Sequence, residues 1–140
     1  MKPIMSIEEI TQFLDERFPQ INFGGRAYFV EAIDSGTAMV RLRAVERHLR
    51  PGGTVSGPSM MELADLAAYV VILAHIGPVA LAVTTNFTIN FLRKPAPGDL
   101  VCDCRLLKLG RRLAVVECGI RPENNDELVA QAMATYSIPK

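Results

Sequence analysis

The sequence predicts one α+β domain, spanning residues 1–140, in which an antiparallel sheet wraps around a long buried helix. Three observations point there. The stretch Leu63 to Gly77 is apolar on nearly every side and lies between a helix opening at Ser56-Gly57-Pro58-Ser59 and a stop at Gly77-Pro78. Four strand-like segments follow it, separated by turn residues. A short amphipathic helix and a hairpin precede it.

The elements follow in order. Ser6-Ile7-Glu8-Glu9 has the capping-box pattern, and Ile7, Ile10, Phe13 and Leu14 make one apolar stripe at helical spacing until Pro19 ends it. Arg26 to Ile33 has strand character and closes at the turn Asp34-Ser35-Gly36. From Thr37 to Ala44 apolar Ala38, Val40, Leu42 and Ala44 alternate with Thr37, Met39, Arg41 and Arg43, the pattern of a strand with one face on the core. After a loop through Pro51-Gly52-Gly53, the buried helix runs from Pro58 to about Ile76. The later strands are Ala80 to Leu92, Leu100 to Leu109, Leu113 to Ile120 and Glu127 to Ser137. Such a sheet leaves an edge strand and a face needing cover, and dimerisation supplies both.

Composition excludes several classes of function. Lys and Arg number 15 and so do Asp and Glu, so no general attraction to nucleic acid or to an anionic membrane is expected. The Leu63–Gly77 run, interrupted by Asp65 and His75, is too short and too broken for a membrane span. Three cysteines are too few and unsuitably spaced for a disulfide framework, and Cys102 and Cys104 should pack on one strand face. Only His48 and His75 could join them, so no metal site is expected, and no cofactor motif is present. No signal peptide is read, and the expected compartment is the cytoplasm.

Asp65 stands out on physics alone. A carboxylate in the second or third turn of an apolar helix is costly to bury unless it is paired or used. Burial would prepare it as a general base, whereas sharing a wetted face with Glu62, three residues earlier, would leave it structural. Gly57 sits where the helix begins, where a free backbone N–H can meet a developing oxyanion. Thr84, Asn86, Thr88 and Asn90 alternate with Thr85, Phe87, Ile89 and Phe91, so the long strand has a polar face that could hold water, solvent or a dimer seam. The basic pairs Arg93-Lys94 and Arg111-Arg112 suit phosphate groups or solvent.

The run Gly53-Thr54-Val55-Ser56-Gly57-Pro58-Ser59-Met60-Met61-Glu62-Leu63-Ala64-Asp65 resembles the helix-opening motif of hotdog-fold acyl-CoA thioesterases of the phenylacetic-acid-degradation (PaaI) type. Phe91-Leu92-Arg93-Lys94-Pro95-Ala96 with Gly98-Asp99 resembles that family's next turn, and Gly110-Arg111 its later hairpin. The resemblance implies a hotdog fold and hydrolysis of an acyl-CoA at a site between subunits of a homodimer or homotetramer. It implies Asp65 as the catalytic carboxylate and Gly57 as the oxyanion donor. It further implies that Thr84 and Asn86 orient water across the interface and that Arg93, Lys94, Arg111 and Arg112 are candidates for the CoA phosphates. Ser56 stands where the family has histidine, Pro58 replaces its second glycine, and Arg50 replaces an asparagine. Those departures leave open a module that binds an acyl ligand without hydrolysing it. A hydratase reading ranks lower, because neither histidine is placed to pair with an aspartate.

Overall fold

The computed structural model describes residues 1–140. Helix α1 (Ile7–Arg17) begins with the expected capping box: Ser6 and Glu9 exchange side-chain and backbone hydrogen bonds. The strands are β1 (Tyr28–Asp34), β2 (Thr37–Leu42), β3 (Val83–Phe91), β4 (Leu100–Leu109), β5 (Leu113–Pro122) and β6 (Ala130–Ser137). They form one antiparallel sheet in the order β1-β2-β4-β5-β6-β3, around helix α2 (Gly57–Ile76). The predicted architecture is therefore present. Strand β3 starts at Val83, three residues later than the alternation suggested, because Ala80 to Ala82 form a turn. There Ala82 N–H donates to Val79 O, and Tyr69 OH donates to Ala80 O.

Small residues explain how α2 lies so close to the sheet. Ala64, Ala67, Ala68 and Ala74 of the helix and Ala114, Ala130, Ala132 and Ala134 of β5 and β6 are all buried. Larger side chains, Leu63, Val70, Val71, Ile72 and Leu73, fill the remaining volume and are fully buried. Each contributes on the order of 1.5–3 kcal/mol over its exposed state. At 20 residues α2 is long and apolar enough to cross a bilayer, but 72% of its apolar window is buried inside this fold. Cys102, Cys104 and Cys118 lie under it as free thiols; Cys104 Sγ reaches Ala67 O at 3.3 Å and Cys118 Sγ reaches Ala64 O at 3.6 Å.

The face of the sheet away from α2 is less needy than expected. Arg105–Glu117, Arg121–Asp103 and Arg41–Glu31 are ion pairs there. The edge is different. Strand β3 has a partner only in β6, and Val83 and Phe91 on it, with Leu81 and Leu92 beside it, are exposed apolar residues. An unpaired strand edge flanked by apolar side chains is a template for another chain.

Candidate active site

Asp65 lines a cavity of about 610 Å³ together with Glu62, Thr84, Tyr136 and a mostly apolar wall that includes Phe18, Leu66, Tyr69 and Phe87. Its carboxylate is gripped from the sheet. Thr84 Oγ1 donates to Asp65 Oδ1 at 2.7 Å, and the Tyr136 hydroxyl lies 2.8 Å from Oδ1 and 2.9 Å from the Asp65 backbone oxygen. Burial, and then the charge of Asp65, push the Tyr136 phenol above its ordinary value, so it stays a donor. Glu62 does share the face of Asp65, but it accepts from the Tyr28 hydroxyl.

Strand β3 does not carry Thr84 and Asn86 on one face as the alternation predicted. A bulge between them places Thr84 opposite Tyr136 and Asn86 opposite Thr135. Directly opposed residues share a face, so Thr84 joins the buried row of Tyr136 and Ala134 while Asn86 turns to the outer face. Asn86 is exposed and does not reach Asp65 within the chain.

Gly57 is the first residue of α2, and its N–H is the one free amide of that helix terminus. Pro58 has no N–H, Ser59 N–H goes to Ser56 Oγ at 3.3 Å, and Met60 N–H goes to Ser56 O at 3.0 Å. Ser56 is thus spent on capping: its Oγ also donates to Ser59 Oγ. Gly57 lines a second cavity, of about 360 Å³, with Arg50, Thr54, Arg93 and Lys94. Motif reading notes Arg50 only as the replacement of an asparagine and gives Thr54 no role. The Thr54 hydroxyl is buried without a partner.

The basic residues divide. Arg93 pairs with Glu127 and donates to Leu128 O at 2.9 Å, whereas Lys94, Arg111 and Arg112 make no ion pair. The two pairs lie at opposite ends of the sheet. Phe91 is opposite Ala130, while Val83 and Leu113 are both opposite Ser137. A nine-residue strand separates those ends by roughly 25 Å. His48, expected in a charged loop, is buried against Tyr28.

Asp65 and Gly57 also stand apart. Eight residues of α-helix rise about 12 Å, and the two line different cavities. Residues 52–129 match the family model described as the thioesterase superfamily. The chain belongs to that superfamily. Among solved structures, a candidate thioesterase from Silicibacter sp. TM1040 is 48% identical, covers 100% of this chain and 96% of its own, and superposes with a TM-score of 0.91. A candidate esterase of Saccharolobus solfataricus is 26% identical over 97% of this chain and 87% of its own length. A Streptococcus mutans UA159 protein solved bound to acetyl CoA shares the fold at 24% identity, with 81% and 90% coverage and a TM-score of 0.69. Thioester hydrolysis is thus the chemistry of the family, and the hotdog fold is the one observed.

Proposed function

We propose that this member hydrolyses acyl-CoA thioesters of the PaaI type, with Asp65 as the catalytic carboxylate. The observation that carries the reading is a carboxylate, held by Thr84 and Tyr136, in the wall of a mostly apolar cavity that Arg17 and Glu62 also line. The cavity suits an apolar acyl group. Asp65 either attacks the thioester carbon or draws a proton from the water that does. A C–O bond forms, and the carbonyl electron pair moves to oxygen beside the Gly57 N–H. Collapse breaks the C–S bond. On the water route the departing CoA sulfur takes up the proton that Asp65 removed. Direct attack instead releases CoA thiolate and leaves an acyl–Asp65 anhydride, which a water molecule then splits to the free acid and the Asp65 carboxylate, one of its protons going to the CoA sulfur.

Gly57 and Asp65 of one chain are too far apart to meet one carbonyl, so the reading requires a homodimer, alone or within a homotetramer. Antiparallel pairing of β3 with its copy sets the Val83 end of one strand beside the Phe91 end of the other. Asp65 lies at the first end through Thr84. Gly57 lies at the second, where a Cβ on it would meet the Phe91 ring at 3.3 Å. The same operation brings Arg111 and Arg112 of one copy toward Arg50 and Lys94 of the other, the unpaired cations suited to CoA phosphates. The acetyl CoA held by the Streptococcus mutans protein is in keeping with such a ligand.

The capping role of Ser56 favours a second reading, an acyl-CoA binding module, because a hydroxyl committed to the helix cannot do a histidine's work. The test is a panel of acyl-CoAs with a thiol reagent that reports released CoA, run on the parent and on Asp65→Asn. Release by the parent and none by a folded Asp65→Asn supports hydrolysis. Thermal stabilisation of both by an acyl-CoA without release establishes the binding module instead. Single turnover in heavy-oxygen water then separates direct attack from water activation, since only direct attack transfers a protein oxygen to the acid.

A further inference from the structure

We propose that Tyr136 is a positioning residue which, with Thr84, holds one oxygen of Asp65 so that Oδ2 alone faces the substrate. This rests on the hydrolytic reading above. A carboxylate has two equivalent oxygens, and rotation about its terminal bond would exchange them. Here they are not equivalent. Oδ1 has Thr84 Oγ1 at 2.7 Å and the Tyr136 hydroxyl at 2.8 Å, while Oδ2 has no hydrogen-bond partner in the chain. Two donors on one oxygen occupy its lone pairs, leaving those of Oδ2 to the cavity.

The clamp is built from packed parts. Tyr136 is 3% exposed and stacks on Tyr69 with ring centres 6.2 Å apart and an interplanar angle of 26°. Tyr69 is itself tied to Ala80 O. Thr84 and Tyr136 are directly opposed on β3 and β6, so one sheet register sets both donors. The bulge beside Thr84 turns it inward, and the inward row Ala130, Ala132, Ala134 of β6 ends in this one large side chain. The ring fills space between α2 and the sheet, but that task needs no hydroxyl. Its hydroxyl spans the Asp65 side chain and the Asp65 backbone oxygen at 2.9 Å, fixing the carboxylate relative to its own helix turn.

The experiment is steady-state hydrolysis of the best acyl-CoA on the panel by the parent, Tyr136→Phe, Thr84→Val, Thr84→Ser and Asp65→Asn, each checked by thermal melt. Loss of one hydrogen bond to a charged group predicts a kcat about 10- to 100-fold lower for Tyr136→Phe and for Thr84→Val. KM should stay within about twofold, because the acyl group is bound elsewhere in the cavity. Thr84→Ser should recover most of the loss. A merely structural role would lower melting temperature without splitting kcat from KM, and serine would not rescue it. If Tyr136→Phe does not fold, Thr84→Val and its serine rescue decide the matter alone. An active parent with a dead Asp65→Asn but an unchanged kcat in the clamp variants overturns this proposal and spares the hydrolytic one. A parent that cleaves no acyl-CoA overturns both.

Discussion

Replacing Gly57 by alanine separates approach to the backbone from stability of the fold. An ideal Cβ at this position comes 3.3 Å from Phe91 Cζ and 3.7 Å from Cε1. That is a few tenths of an ångström tighter than ordinary contact, and the atom it meets is the far end of a half-exposed ring (49%) on an edge strand. Phe91 can give way. Gly57 does not have a positive φ, so alanine is free of backbone strain, and it lowers the conformational freedom of the unfolded chain by about 0.4–1 kcal/mol. The melting temperature should therefore stay level or rise by roughly 3 °C. Catalysis should respond in the opposite sense. The only free N–H of the helix terminus then lies beside a methyl group and a displaced ring, and loss of one oxyanion donor costs on the order of 10²–10³ in kcat. The assay is CoA release alongside a calorimetric melt. Activity within twofold of the parent would show that Gly57 N–H does not meet the thioester oxygen. A melt lowered by 5 °C or more would show that Phe91 cannot yield.

The other predictions concern the core, the edge, the bulge and pH. Leu63→Ala removes a fully buried side chain from α2 and should cost about 2–5 kcal/mol in urea unfolding. Thr88→Asp, in the middle of the unpaired β3 edge, should shift the protein toward monomer in sedimentation and abolish CoA release, since like charges would oppose each other across the two-fold. Deleting Thr85 should remove the bulge, turn Thr84 off Asp65 and lower kcat as Thr84→Val does. Burial, then the neighbouring Arg47 charge, hold the His48 pKa below its ordinary value, with Glu62 opposing. The folded state thus binds fewer protons than the unfolded one, so the stability is whole above about pH 6.5 and falls as pH drops below it. The slope reaches at most about 1.4 kcal/mol per pH unit, and His48→Asn should flatten it in urea titrations at several pH values. Equal slopes for both proteins would reject this account.

The elements that local chemistry controls were legible in the sequence. The capping box at Ser6, the apolar run of α2 and its Gly77 stop, and the alternation of β2 each state their own structure. What escaped was set by pairing between distant segments. Period-two counting runs straight through the β3 bulge, because nothing in Thr84-Thr85-Asn86 marks an extra residue, and so Asn86 was given the face that Thr84 occupies. Tyr136 looked like one more strand residue until its register opposite Thr84 placed its hydroxyl on Asp65. The resemblance gives both basic pairs to the CoA phosphates, yet within one chain they lie at opposite ends of the sheet. Asp65 itself was visible because a charge within an apolar helix is a local anomaly.

The placement of the cysteines bears on how this protein can be measured. A reagent that titrates sulfhydryls to follow released CoA would also report the enzyme's own, were they accessible. Cys102, Cys104 and Cys118 are 0%, 4% and 1% exposed beneath α2, so the folded protein should contribute no background. In denaturant the same reagent should record three equivalents per chain. Its rate of labelling under native conditions then times how often the helix lifts from the sheet, an intrinsic clock for opening of the core that needs no added probe.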